Sequence, residues 1–166
     1  MALTRVTVPG TLLQVVQATE TARVSQTSSS TNNFTSALMS ASITPSASSS
    51  KILIIVSGTI GWSVGTLHTK VLRGSTDIFR GASNGSRLQS ANSHRLIAST
   101  YNLTMDSINI HYLDSPSTTS ATTYNFVGSL GSTYDGTIIL NGTSDNSDAD
   151  YGGAAASSIT LMEIAG

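Results

Sequence analysis

Residues 52–56 read Ile-Leu-Ile-Ile-Val, five apolar and mostly β-branched side chains in a row, entered from a Ser-rich turn that carries Pro45. A run this short, bounded by turn residues, predicts a strand buried on both faces rather than a helix. Parity extends the pattern. Ile52, Ile54, Val56, Ile60, Trp62 and Val64 share the even register, and Ser57, Thr59, Gly61 and Ser63 take the odd one. Side chains alternate faces with period two, so one face stays apolar beyond Val56 while the other turns polar. At about 3.3 Å per residue, 52–64 spans roughly 43 Å, long for one strand. A bend is therefore expected near Gly58 or Gly61, where a missing side chain permits a bulge or corner. The stretch predicts the central strand of a β-sandwich.

The 166 residues suffice for one domain with its own core. Only 10% of them are charged, but 39% are apolar and the net charge is −1, whereas disordered chains pair low hydrophobicity with high charge. So sparse a charge fits a protein living in an assembly, where much of the surface is covered. The absence of cysteine removes disulfides and thiolate metal sites. The opening MALTRVTVPG lacks the apolar run of a signal peptide. The longest apolar run is five residues, against the roughly 20 that cross a bilayer as a helix. A soluble product, made without secretion or membrane insertion, is expected.

Charge is unevenly placed. All eight Lys and Arg lie between Arg5 and Arg95, opposed there by Glu20 and Asp77, while seven acids and no Lys or Arg follow Arg95. The halves are thus +6 and −7. They can pair within one sandwich, or neighbouring copies can meet basic half to acidic half.

Along the chain, residues 1–10 read as an extended N-terminal arm and 11–166 as a single sandwich domain. Strands are expected at 11–19, continuing after a kink at 21–26, and at 34–44, where Leu38 and Met39 give no single clean face. Residues 66–73 are expected to form the hairpin partner of the central strand, with Leu67 and Val71 inward and His68 and Lys70 outward. A short edge strand at 76–80 and a loop at 81–93 follow. Further strands are expected at 95–104, 107–113, 119–130, 137–141 and 157–164, with a turn at 114–117 and a long loop at 142–156. Nine or ten short strands make an all-β, antiparallel, jelly-roll-like sandwich.

Chemistry-bearing residues are scattered. His68, His94 and His111 stand apart, and no GxSxG elbow or other local signature joins one of them to a nucleophile. Nothing marks the paired carboxylates of a depolymerase. Asp145, Asp148 and Asp150 are the one dense acidic cluster, weak candidates for Ca²⁺ because their spacing misses the EF-hand pattern and no bidentate Glu follows. No metal, cofactor or catalytic residue is expected. Arg73, Arg80, Arg87 and Arg95 could attract anionic glycans, whereas nucleic acid is disfavoured by a weak basic patch on a slightly acidic chain. Tyr134 and Tyr151, in loops beside Gly and Asp, suit stacking on sugar rings. With Arg87 and His94 they are the candidate receptor or glycan contacts. Trp62 belongs to the apolar register and reads as core.

Four stretches, TLLQVVQATET at 11–21, SITPSASSSKILIIVSG at 42–58, YLDSPSTTSATTYNF at 112–126 and SSITLMEIAG at 157–166, together resemble a module of tailed-bacteriophage structural proteins, especially tail fibres of marine phages. They occur in one order across nearly the whole chain. The resemblance implies a non-enzymatic, homotrimeric β-rich module on the exterior of a virion assembled in the host cytoplasm. One expectation is a tail-fibre or receptor-binding tip for host attachment. The other is a capsid decoration, cement or head-fibre protein, with residues 1–10 binding other virion proteins in either case.

Overall fold

A computed structural model describes residues 8–29, 34, 36–96, 103–131, 133–150 and 152–166. Eleven strands among them form two antiparallel sheets, a β-sandwich. They are β1 (Leu12–Glu20), β2 (Val24–Ser28), β3 (Ala37–Ile43), β4 (Lys51–Trp62), β5 (Thr66–Arg73), β6 (Thr76–Phe79), β7 (Asn92–Arg95), β8 (Met105–Asp114), β9 (Thr122–Leu130), β10 (Gly136–Leu140) and β11 (Ser157–Ile164). One sheet runs β1-β11-β4-β10-β2 with β8 also on β4; the other runs β3-β9-β5-β6 with β7 also on β5.

β4 is central, as its apolar run predicts. β8 pairs with one edge without interruption from Ile52 to Gly61. The other edge is shared, β11 pairing with residues 51–57 and β10 with residues 60–62. The expected bend thus takes another form. No register shift breaks the β4–β8 ladder; the partner changes at Gly58. A Cβ there would fall inside the Ser157 hydroxymethyl group. That hydroxyl is buried, accepts from the Thr59 amide at 3.2 Å and donates to Asn141 Oδ1 at 2.6 Å. Gly58→Ala should therefore cost about 1–3 kcal/mol by overpacking. Adding Ser157→Gly should recover part of that loss in a thermal-melt double-mutant cycle.

Both faces of the run are not buried. Ile52, Ile54 and Val56 are at most 1% exposed and meet Trp62, Leu67, Val71, Tyr124, Phe126, Ile159 and Leu161 in the core between the sheets. Leu53 and Ile55 face outward and are half-buried.

β5 is not the hairpin partner of β4: it lies in the opposite sheet, paired with β9, β6 and β7. Both edges of β4 are already taken, and residues 63–65 carry the chain across. Gly65 turns there with φ +68, its carbonyl accepting from Trp62 Nε1 at 3.2 Å. Lys70, in the outward register, is nevertheless buried; its ammonium reaches Asp77 at 3.1 Å and lies 4.1 Å from the Phe34 ring centre.

A register shift between Ala37 and Met39 lets Leu38 and Met39 both bury, resolving the mixed pattern of that strand. β7 opens at Asn92, inside the stretch expected as loop. Of the strand expected at 95–104, Arg95 ends β7, residues 97–102 lie outside the described residues, and Leu103 and Thr104 are not in a strand. Of the arm, 1–7 lie outside the described residues, while Gly10 donates its amide to Ala165 O at 2.7 Å beyond the end of β11. No helix among the described residues is long and apolar enough to cross a membrane.

Candidate functional site

The outer side of β5 contributes Thr66 and His68 to an open cleft of about 410 Å³, completed by Ser86, Arg87 and Leu88 from the loop after β6, Ser93 from β7, and Gly131. Strand pairing builds it. His68 stands opposite Ser93 on one side and Ser129 on the other, and Gly131 donates its amide to Thr66 O at 2.9 Å. Arg87 is carried on a turn whose Gly85 takes φ +58; its amide donates to Asn84 O at 3.2 Å, and its side chain is solvent-exposed. Among the described residues Arg87 makes no ion pair.

Inside the cleft, His68 Nδ1 lies 2.9 Å from Ser93 Oγ, which lies 2.8 Å from Ser90 Oγ. Burial, and then the neighbouring Lys70 ammonium, push the His68 imidazole below its usual range, so it is neutral at pH 7. A neutral ring can donate from one nitrogen and accept at the other. Tyr134 sits at the rim. Its amide donates to Gly131 O at 2.9 Å, and its ring covers Gly65 closely enough that a Cβ there would enter it. With 38% of its surface exposed, the ring offers an apolar face next to Gly131, at the border of a cleft that holds a cation, several hydroxyls and Leu88. Such a set can bind a hydroxylated or carboxylated ligand through hydrogen bonds, charge and stacking.

Of the four candidate contacts, Arg87 lines the cleft, and Tyr134 stands at its Gly131 border. His94 points away, into the sandwich: its Nδ1 lies 2.7 Å from Asp106 of β8 and its ring centre 6.0 Å from that of Trp62. Tyr151 lies outside the described residues. Asp145 accepts from the Ser147 amide at 2.9 Å and hydroxyl at 2.8 Å, and these bonds hold its carboxyl below the usual carboxylate range. Asp148 and Asp150 are exposed. Among the described residues no three metal-ligating side chains converge. Within the basic half, Lys70 and Arg80 both pair with Asp77, while Arg73 reaches across to Asp114 of the acidic half.

Sequence reasoning missed His68 and Ser93 as a pair. His68 carried an outward-register signal, but its partner comes from a strand hidden in a stretch without period.

No family model matches the chain, and no curated protein does. Among solved structures, the chain is similar to the infectious bursal disease virus VP2 subviral particle at 9% identity and a TM-score of 0.34. That alignment covers 92% of this chain and 41% of the other, so the chain spans less than half that protein's length.

Proposed function

We propose that the chain is a non-enzymatic structural module of a phage particle, a homotrimeric β-sandwich serving as a tail-fibre or receptor-binding tip. The support is where the four resemblance-bearing stretches fall. Residues 11–21 contain β1, 157–166 contain β11, 42–58 contain most of β4, and 112–126 join the end of β8 to β9. β1, β11, β4 and β8 are consecutive neighbours in one sheet. Residues as far apart in sequence as Leu12 and Ile164 thus form one continuous surface. In this reading residues 1–10 attach the module to other virion proteins by strand addition, with Val8, 64% exposed, as the first apolar contact. The cleft of Arg87, His68 and Tyr134 meets a host-surface glycan.

Electron microscopy of particles carrying the protein tests the reading. Density for the sandwich at the tail tip supports it. Density on the capsid lattice replaces it with the decoration reading, and absence from the particle eliminates both. The glycan contact has its own check. Arg87→Ala should weaken binding to an acidic polysaccharide about tenfold or more with the melting temperature unchanged; Tyr134→Ala should weaken it as much and also lower the melting temperature, because its ring packs over Gly65. Unchanged retention on a polysaccharide column would remove the cleft from the account.

A further inference from the structure

The sheet that holds β4 leaves half of its outer face uncovered. Strand register aligns Val15, Met162, Leu53 and Leu113 in one row across β1, β11, β4 and β8. Directly opposed residues point to the same side, and the next row inward, Val16, Leu161, Ile54 and Tyr112, faces the core. The Val15–Leu113 row therefore faces out. Val15 is 50% and Leu113 44% exposed, Leu12 at the same end is 52% exposed, and Leu53 and Met162 are half-buried. The following outer row, Gln17, Thr160, Ile55 and His111, carries no carboxylate, lysine or arginine. At the other end of β4 the chain roofs its own sheet: Gly142 O, Thr143 and Thr104 O lie so close over Gly61 that a Cβ would meet them. Ile139 beside it is fully buried.

We propose that this open face lines the axis of a homotrimer, each copy covering the β1 edge of one neighbour with its β8 edge. The proposal rests on the trimeric reading above and assigns its surface. Charge selects a second copy as the occupant. Around a threefold axis each side chain faces its own two images, so a charge there would meet like charges, and these four strands present outward only Lys51, at one corner. The ends of the row are its most exposed points, Val15 on β1 and Leu113 on β8, which is where threefold packing brings neighbours together. Four strands about 4.8 Å apart and seven residues at about 3.3 Å give a footprint of roughly 440 Å². That is about half of a standard interface per partner, with the Val15–Leu113 row as its apolar part. A contact of that size is at the weak end of specific interfaces, so assembly through it should reverse on dilution.

The full chain tests this directly. Sedimentation equilibrium of the unmodified protein should show a trimer near 100 µM that dissociates on dilution. Val15→Glu with Leu113→Glu should sediment as a monomer throughout, with its circular dichroism unchanged. Should that pair disturb folding, Val15→Thr with Leu113→Gln should still weaken association at least tenfold. Because the chain has no cysteine, Val15→Cys with Leu113→Cys gives a second readout. Within one copy the two positions lie three strand spacings apart, roughly 14 Å, beyond disulfide reach. Oxidation should yield covalent trimers from the double variant and at most covalent dimers from either single one. A trimer indifferent to these substitutions, or a double variant without covalent trimers, overturns the assigned face and spares the trimer. A dimer overturns the threefold arrangement, and a monomer at every concentration overturns both.

Discussion

Asp114→Ala should be among the most destabilising single substitutions in this protein, lowering stability by about 3 kcal/mol and the melting temperature by about 6–12 °C. Asp114 ends β8 in the row that faces the core and is 5% exposed. Arg73 Nη1 of the opposite sheet donates to its two oxygens at 3.0 and 2.9 Å, and the fully buried Tyr124 hydroxyl donates at 2.7 Å. One carboxylate thus ties β8 to β5 and β9. Burial, followed by the hydrogen bond to Asp114, pushes the Tyr124 hydroxyl far above its usual pKa, so it remains a donor throughout the accessible range. Alanine leaves the buried Tyr124 hydroxyl without an acceptor and the Arg73 guanidinium with only the Ser115 carbonyl at 3.3 Å, and that desolvation supplies most of the loss. The Arg73 side chain is 30% exposed, so solvent returns part of it and the value falls at the lower end for buried ion pairs. Asp114→Asn keeps an acceptor and should cost about half as much. A urea titration placing Asp114→Ala within 1 kcal/mol of the unmodified protein would refute this account of the clamp.

Glu163→Ala should cost nearly as much, and its effect should depend on pH. Glu163 of β11 is fully buried, yet it shares the core-facing register of Ile159 and Leu161. The turn before β4 and strand β1 supply its partners. Ser46 donates to Oε1 through its amide at 2.7 Å and its hydroxyl at 2.6 Å, while Gln14 Nε2 donates to Oε2 at 2.6 Å and to Thr44 O at 2.7 Å. Burial alone pushes the carboxyl up, but the hydrogen bonds from Ser46 and Gln14 outweigh it and hold the pKa at about 2. The folded protein therefore binds this proton less readily than the unfolded chain, whose value is near 4.5. The stabilisation is complete above that pH and fades as pH falls toward 2. At pH 7, Glu163→Ala should lower stability by about 2 kcal/mol, because three hydrogen bonds to a buried carboxylate are lost and solvent replaces only part of them at exposed Ser46 and half-buried Gln14. Between pH 4.5 and 2 the variant should lose less stability than the unmodified protein. Parallel acid-denaturation curves for the two would show that the hydrogen bonds to Glu163 contribute no linkage.

Both clamps lie in one row of the sheet, Gln14–Glu163–Ile52–Asp114, so they close the same end of the sandwich on either side of Ile52. Their positions were half legible. Parity places Glu163 with Ile159 and Leu161, and Asp114 with Ile108, Ile110 and Tyr112. A carboxylate in an apolar register must find donors or unfold the strand. The donors themselves were not legible: Ser46 lies 117 residues from Glu163, and Arg73 lies 41 residues from Asp114. The same limit hid the cleft. Arg87 and Tyr134 stood out as residue types, but that both border Gly131 depends on Gly131 meeting Thr66 across sheet edges. His94 looked equally available from sequence, and its strand register turned it inward against Trp62 and Asp106.

The sequence alone determined the strand class, the central place of residues 52–62 and most core positions, because period-two patterning is a local property of a pleated chain. It could not determine which strands become neighbours, since a strand with two free edges accepts any partner of suitable length. Only the tertiary structure decided that β5 crosses to the second sheet, that β11 and β10 share an edge of β4, and that Leu53 and Ile55 remain half-buried at the surface. Coverage of a face depends on where the rest of the chain travels, and here the loop after β10 covers only one end of it.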